Sequence, residues 1–441
     1  MPTRWLRGTA MVMLAISTSA SGFLAAQRDE YTKFDQERAK SMLHTIEGDL
    51  KKAYYDPKFH GVDLDRRFRL AEQNIATVSS MNKALSEIAA ALAELNDSHP
   101  FFLPPPRPYK HEYGWRMAAI GESGIFITAV RPDCDAASKG VRPGDRVLLL
   151  NGYEPVRQDL WKMNYVYNTL RPQPGLRLRL GSPDGTARQV DAMAKWQPGV
   201  QVREVQRDIW GLVREAENEQ HLRRSRYHEY GREAIIWHMP DFVFAPDHAY
   251  EMLDRIRSHQ ALVLDLRGNP GGIVETLEKF LGGFFDHDVK IADRVGRKEL
   301  KPGFAKTRRG ETYTGKLVVL VDSQSASAAE LFARVVQLEK RGTVLGDRSS
   351  GSVMEGRRFG YRIGQDIVVL YGASITEADL IMADGKSLEH AGVIPDERIL
   401  PTPEDLASGR DPVLARAAQL IGVKLTPEEA GKLFPIEWPK D

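Results

Sequence analysis

The chain has 441 residues, of which 42% are hydrophobic and 27% charged. This composition is typical of folded globular protein, and the length is sufficient for two or three domains. The formal net charge of +1 gives no reason to expect nucleic acid as a partner. The single cysteine, Cys134, excludes an intrachain disulfide and a cysteine metal cluster.

The first 26 residues have the pattern of a signal peptide. Arg4 and Arg7 precede a short apolar run, Met11–Ile16, and small residues follow it. Cleavage after Ala20 or Ala26 would release an exported protein, periplasmic or extracellular, with no stable membrane span. An uncleaved N-terminal anchor is the alternative, although the run is short for a bilayer span.

Residues 29–106 are predicted to form an N-terminal helical domain. Apolar residues repeat at helical spacing at Leu85, Ile88, Ala89, Leu92 and Leu95, so this helix has one buried face. Pro100 cannot continue the helix. Ser98 and His99 therefore lie at a helix–loop junction, where the His99 side chain either faces another domain or is a surface histidine near a cap.

Residues 113–196 are predicted to form a small β-rich unit. A glycine turn precedes the strand at Gly124, Ile125, Phe126 and Ile127, and a second strand covers Arg146–Leu150. The segment VRPDCDAASKGVRPGDRVLLLNGYEPV resembles a PDZ domain of the bacterial protease type. The resemblance implies that Gly124–Ile127 binds an extended peptide, whose C-terminal carboxylate is held by the preceding loop. A spacer without peptide binding is the alternative.

Residues 197–423 are predicted to form an α/β core, because apolar strands alternate with amphipathic helices. Residues 197–232 are charged and have no assigned element, and the tail, 424–441, is expected to be peripheral. The predicted strands and helices of the core are Ala234–His238, Asp247–Ser258, Ala261–Leu266, Leu317–Val321, Ala328–Lys340, Thr343–Leu345 and Asp366–Tyr371.

Two strand ends in this core carry candidate site residues. The loop ending in Gly271 and Gly272 follows one strand, and glycines there let a ligand approach the backbone closely. A phosphate-binding loop is the rival interpretation, but the Gly-Lys-Ser/Thr ending is absent. Ser327 begins the helix after the other strand, where the unpaired N–H groups of a helix start can hold an oxyanion. On these residues alone, Ser327 as a simple helix cap remains the alternative.

Three motifs together, LVLDLRGNPGG, VVLVDSQSASAAE and LEHAGVIPD, resemble the C-terminal processing, or tail-specific, serine peptidases. The resemblance implies that Ser327 is the nucleophile, and that the oxyanion is bound by Gly271 or Gly272 together with Ala328. It also implies a core of βαβ layers like those of ClpP and crotonase, with the helical domain before it and the PDZ-like unit inserted. Peptide or protein substrates, without metal or organic cofactor, are expected.

The general base separates two branches of this family. One branch has a lysine 25 positions after the nucleophile, but that position here is Ser352. The other branch, similar to the tricorn core protease, uses a histidine preceded by serine and a glutamate near a Gly-Val-x-Pro-Asp motif. Ser98, His99 and Glu389 match this second pattern. The resemblance therefore assigns His99 as the base, with Glu389 supporting it through Ser98 or Ser352.

Two rival interpretations remain at this point. Some relatives of the tricorn-like branch bind ligands without cleaving peptides, so the chain would be a catalytically inactive peptide- or ligand-binding scaffold. Alternatively, a relocated lysine, Lys340 or Lys386, would replace the histidine.

Overall fold

The computed structural model describes residues 31–182, 185–198, 224–365 and 368–438. The predicted signal segment lies outside these ranges. Within them, no helix combines the length and apolar character needed to cross a membrane.

The elements are numbered here in chain order. The α-helices are α1 Lys33–Ala53, α2 Leu64–Thr77, α3 Met81–Ala93, α4 Asp135–Ser138, α5 Leu160–Tyr165, α6 His248–Arg257, α7 Val274–Gly282, α8 Ala328–Leu338, α9 Pro403–Ser408, α10 Pro412–Leu420 and α11 Pro427–Leu433. The strands are β1 Phe101–Leu103, β2 Tyr109–Glu112, β3 Trp115–Ile120, β4 Gly124–Val130, β5 Arg146–Leu150, β6 Gly175–Gly181, β7 Ala187–Met193, β8 Lys195–Pro198, β9 Arg226–Tyr230, β10 Ala234–His238, β11 Ala261–Asp265, β12 Val289–Gly296, β13 Gly303–Ala305, β14 Lys316–Val321, β15 Thr343–Gly346, β16 Met354–Ile363, β17 Val369–Met382 and β18 Glu397–Arg398.

The N-terminal segment is helical, as predicted. α1, α2 and α3 each bury one apolar face, and the periodic residues Leu85, Ile88 and Leu92 of α3 are buried. After Pro100 the chain enters β1, which pairs antiparallel with β17. This pairing joins the helical segment to the rest of the molecule immediately after His99.

The core sheet has six strands in the order β18-β15-β14-β11-β10-β9. All neighbours are parallel except β9, which is antiparallel to β10. Alternate residues of each strand face opposite sides, so Val319 packs among α6, α7 and α8, while Val318 packs against α10. Because both faces are covered, the strands are apolar throughout, as expected for a parallel sheet.

A second, antiparallel sheet consists of β1, β12, β13, β16 and β17. Its longest pairing is the β16–β17 hairpin. The predicted strand Asp366–Tyr371 overlaps β17, which runs much further, from Val369 to Met382; its first two positions lie outside the described residues. Glycines and arginines in β16 and polar residues in β17 hide the alternation that identifies a strand.

A third, five-stranded antiparallel sheet, called here the inserted β unit, has the order β3-β4-β5-β6-β7. β4 is an interior strand: Ile125 and Phe126 pair with β3, and Ile127 exchanges backbone hydrogen bonds with the Gly144–Asp145 turn. The predicted peptide-binding strand, Gly124–Ile127, therefore lacks a free edge for an added peptide. The edge strands of this sheet are β3 and β7, and β3 is the one beside the core.

The inserted β unit is joined to the core through a buried carboxylate. Asp347, which follows β15, accepts a hydrogen bond from the N–H of Gly121 at 2.8 Å and one from Arg157. Two core side chains also bind β3, Ser323 to the carbonyl of Ala119 and Gln324 to that of Met117.

The tail, 424–441, lies along the edge strand β9 as far as the structure describes it. Pro435 accepts a hydrogen bond from Arg226 of β9 through its carbonyl, at 2.8 Å, and His228 binds the carbonyl of Leu433 at 2.9 Å. The Phe434 ring lies 5.2 Å from the His228 ring, centre to centre. The tail is thus held along β9, a strand that the charged sequence of residues 197–232 did not reveal.

Candidate active site

Ser327 lies on a tight turn at the carboxyl end of β14, a central strand of the core sheet. The turn is organised by Asp322, whose carboxylate accepts hydrogen bonds from the N–H groups of Gly268, Gln324 and Ser325 at 2.9 to 3.0 Å. Because Gly268 belongs to the glycine loop after β11, this carboxylate holds the two loops side by side.

The backbone of Ser327 is strained. Its φ of 54° and ψ of −117° are uncommon for a residue with a side chain, and such conformations persist only where surrounding contacts enforce them. Ser327 is the N-cap of α8: its N–H donates to the Glu330 carboxylate at 3.0 Å, and its carbonyl accepts from the Glu330 N–H at 2.9 Å. The side chain is partly exposed. A helix cap alone does not account for the strained backbone, because cap residues ordinarily have β-region angles.

The glycine loop lies directly against this turn. A Cβ on Gly271, which has φ 94°, would be 2.7 Å from the Ser327 Cβ and 2.8 Å from the Ala328 nitrogen. Only glycine permits such close approach. The N–H of Gly271 donates to Asn269 Oδ1 at 2.8 Å, so it is already used.

Two other N–H groups at this place remain unused among the described residues. Neither Gly272 nor Ala328 donates its N–H to a protein acceptor. Gly272 has φ 156°, and a Cβ there would lie 2.5 Å from the carbonyl carbon of Phe242. Of the two glycines proposed from the sequence, Gly272 is therefore the one with a free donor.

His99, Ser98 and Glu389 form a hydrogen-bonded chain. Glu389 accepts from the Ser98 N–H at 2.8 Å and from the Ser98 hydroxyl at 2.9 Å. The Ser98 Oγ lies 2.7 Å from His99 Nδ1. Because the hydroxyl donates to Glu389, its oxygen accepts from His99 Nδ1–H. The Nε2 of His99 is then the unprotonated nitrogen.

A single peptide group connects these hydrogen-bonded residues to the turn that carries Ser327. The carbonyl of Ser352 accepts a hydrogen bond from the N–H of Ser327 at 3.0 Å. The next N–H, that of Val353, donates to Glu389 at 2.8 Å. The position at which the lysine branch carries its base therefore connects Ser327 to Glu389 through the main chain. Glu389 binds Ser98 by its side chain, and not Ser352.

The same segment is held from the other side by Glu330, which is fully buried in the first turn of α8. Its carboxylate accepts hydrogen bonds from the N–H groups of Ser327, Gly351 and Ser352 at 2.8 to 3.0 Å and from the Ser349 hydroxyl. Burial raises the pKa of Glu330 to about 7, while these four donors act in the opposite direction.

Burial also shifts the pKa values of His99 and Glu389. It lowers the pKa of His99 to about 4, and the positive charge of Arg358 contributes in the same direction. His99 is thus neutral at neutral pH and able to accept a proton. Burial raises the pKa of Glu389, against the hydrogen bonds donated by Val353 and Ser98.

Other basic residues considered from the sequence are not part of this arrangement. Lys340 follows the C-terminal end of α8 and lies about 20 Å along the helix axis from Ser327, at about 1.5 Å per residue. Lys386 is exposed in the turn after β17. His238 stacks on Phe434 with ring centres 5.5 Å apart.

Comparison with known proteins relates the core to one protein family. Residues 236–399, which contain Ser327 and Glu389, match the family described as Peptidase family S41. Over these residues the α/β core is similar to the members of peptidase family S41.

Two curated relatives support this similarity. The chain is 31% identical over 170 residues to the "Putative tricorn protease homolog 2" of Streptomyces coelicolor, covering 37% of this chain and 13% of that protein. It is 22% identical over 352 residues to the "Tail-specific protease" of Haemophilus influenzae, covering 76% of this chain and 48% of that one. The chain thus spans less than half the length of either relative.

A solved structure shares the fold. The structure titled "Crystal Structure of mature CPAF" superposes with a TM-score of 0.63 at 16% sequence identity, covering 85% of this chain and 94% of that chain.

Glu330 is a site residue that the sequence analysis missed. A signal was present, because Ser-x-x-Glu at a helix start is the pattern in which the glutamate side chain binds the N–H of the first residue. Glu330 additionally holds the loop of Gly351 and Ser352, and that part of its role depends on a contact between distant segments.

Replacing Glu330 by Gln should destabilise the core. The amide NH₂ would face two hydrogen-bond donors, so the free energy of unfolding should fall by about 2 to 4 kcal/mol, measured by urea denaturation. Glu339→Gln, an exposed glutamate at the other end of α8, is the matched control. Equal unfolding midpoints for the two variants would contradict the role assigned to Glu330.

Proposed function

We propose that the chain is a serine endopeptidase of the tricorn-like branch, exported by its N-terminal segment. The observation that carries the proposal is the hydrogen-bonded chain Glu389–Ser98–His99, tied to Ser327 through the Ser352–Val353 peptide group. Nucleophile, base and an orienting carboxylate are the three parts that hydrolysis by a serine requires.

In this mechanism His99 Nε2 removes the proton from the Ser327 hydroxyl as the oxygen attacks the substrate carbonyl. The carbonyl oxygen becomes an oxyanion, which the N–H groups of Gly272 and Ala328 stabilise. His99 then transfers its proton to the departing amine, and the peptide bond breaks. Water, deprotonated by His99, hydrolyses the acyl-enzyme and restores Ser327.

Glu389 and Ser98 support the base in two ways. The Ser98 oxygen fixes the tautomer of His99, so that Nε2 keeps a free lone pair. When His99 becomes positively charged, the Glu389 carboxylate stabilises that charge through the polarised Ser98 hydroxyl.

We further propose that the inserted β unit is a PDZ-like module that binds substrate at β3. A cavity of about 890 Å³ lies beside Gly114, Trp115 and Met117, and its opposite wall includes Gly268 and Gln324 of the core. The core already binds the carbonyls of Met117 and Ala119 in β3. An extended peptide would therefore add at the start of this strand, around Trp115.

Ser327→Ala should abolish hydrolysis of unstructured protein substrates while the unfolding midpoint stays unchanged, because it removes the only atom that attacks the carbonyl. Labelling by a fluorophosphonate probe should disappear with it. Wild-type protein that neither labels nor cleaves would favour the inactive-scaffold alternative.

His99→Ala should lose activity nearly as completely as Ser327→Ala, because members of such a unit act together. Lys340→Ala is the matched control and should remain active. In the wild type, the neutral form of His99 is the base. Activity should therefore be constant at neutral pH and fall only as the pH drops through about 4, the lowered pKa of His99. A dead Lys340 variant beside an active His99 variant would reverse the assignment.

Peptide binding to full-length Ser327→Ala protein tests the β3 groove. Amidating the peptide C-terminus should weaken binding, because a held carboxylate is lost. Gly114→Ala should also weaken it, since φ is 81° and a Cβ would lie 2.4 Å from the Cys134 Cβ, distorting the start of β3. Gly140→Ala has nearly the same φ, 80°, without a neighbouring atom, and should bind normally. Equal affinities throughout would exclude this groove.

A further inference from the structure

β16 leads away from the candidate active site with one edge open. The strand begins two residues after Ser352, whose carbonyl binds the nucleophile. Among the strands that the structure describes, β16 pairs only with β17. An open strand edge carries unpaired N–H and C=O groups, which can bind a peptide in extended conformation.

The two faces of β16 differ in character. Phe359, Tyr361 and Ile363 are partly buried and pack against the core of the helical domain. The opposite face alternates glycine with arginine and is exposed at every position. The residues of this second face, called here the Gly-Arg face, are Gly356, Arg358, Gly360 and Arg362.

The Gly-Arg face is the one that meets the catalytic histidine. A Cβ on Gly356 would lie 3.0 Å from His99 Cδ2, so the missing side chain leaves room for the imidazole. Arg358 follows two residues later on the same face, about 7 Å along the strand. Its charge acts on His99, whose pKa it helps to lower.

We propose that the substrate chain lies along the open edge of β16, and that Arg358 selects an acidic side chain within about three residues of the scissile bond. This inference rests on the proposed function and adds a substrate class to it. The guanidinium offers a planar, charged pair of donors that matches a carboxylate. The neighbouring glycines keep the path beside it clear, and Arg362 extends the positive charge along the same face.

The test is cleavage of a proteome-derived peptide library at pH 8, where His99 is neutral in every variant, with cleavage sites mapped by mass spectrometry. Wild-type cleavage should be enriched in Asp and Glu within three residues of the cut. Arg358→Glu should lower kcat/KM for a glutamate-containing peptide, relative to its glutamine counterpart, by about tenfold or more. It should also shift the enrichment towards Lys and Arg.

Arg357→Glu is the matched control. Arg357 is adjacent in sequence and exposed, but its guanidinium lies 4.9 Å from the centre of the Phe359 ring, on the opposite face. This variant should keep the wild-type preference. No acidic enrichment in the wild type, or equal effects of the two charge reversals, would overturn the inference.

A separate binding measurement distinguishes this inference from the proposed function. Full-length Ser327→Ala protein is immobilised, and the same library is passed over it with and without Arg358→Glu. Acidic peptides should be retained by the first protein and lost by the second, whether or not the wild type cleaves them. Retention that is indifferent to peptide charge overturns the Arg358 assignment, while absent cleavage with selective retention overturns only the peptidase proposal.

Discussion

The arrangement of the candidate site depends on one peptide group, between Ser352 and Val353. Its carbonyl binds the backbone of Ser327 and its N–H binds Glu389, so a planar unit sets the separation between the Ser327 turn and the Glu389 carboxylate. A side-chain contact at this place would allow rotation about several bonds. The main-chain link leaves little freedom, which favours the tight geometry that proton transfer requires.

Two glutamates, Glu330 fully buried and Glu389 largely buried, hold this peptide group in place. Glu330 binds three N–H groups and a hydroxyl, and Glu389 binds two N–H groups and the Ser98 hydroxyl. Buried carboxylates are costly unless their oxygens are fully hydrogen-bonded. Each glutamate therefore acts as a fixed acceptor for several backbone N–H groups of the surrounding loops. Removing either carboxylate would leave these donors unpaired.

The parts of the fold and of the candidate site that depend on short stretches of sequence could be predicted. The strands β10, β11 and β14 are continuous apolar runs, and Ser327 stands at a helix start that is visible in the sequence. The carboxyl ends of these parallel strands bring the glycine loop and Ser327 to one edge. The β16–β17 hairpin was not predicted, because glycines and arginines interrupt the alternation of polar and apolar residues in β16. The edge strands of the inserted β unit could not be predicted because strand order depends on pairing between distant segments. β9 could not be predicted because its sequence, Arg-Tyr-His-Glu-Tyr, lacks a regular alternation of polar and apolar residues.

The distance along the sequence between His99 and Ser327 has a consequence for folding. His99 precedes Ser327 by the whole inserted β unit, and β1, directly after His99, must find β17 before the base is in position. A growing or partly folded chain therefore holds a serine without its partner. In the proposed mechanism, Ser327 thus acquires its base only when folding is complete.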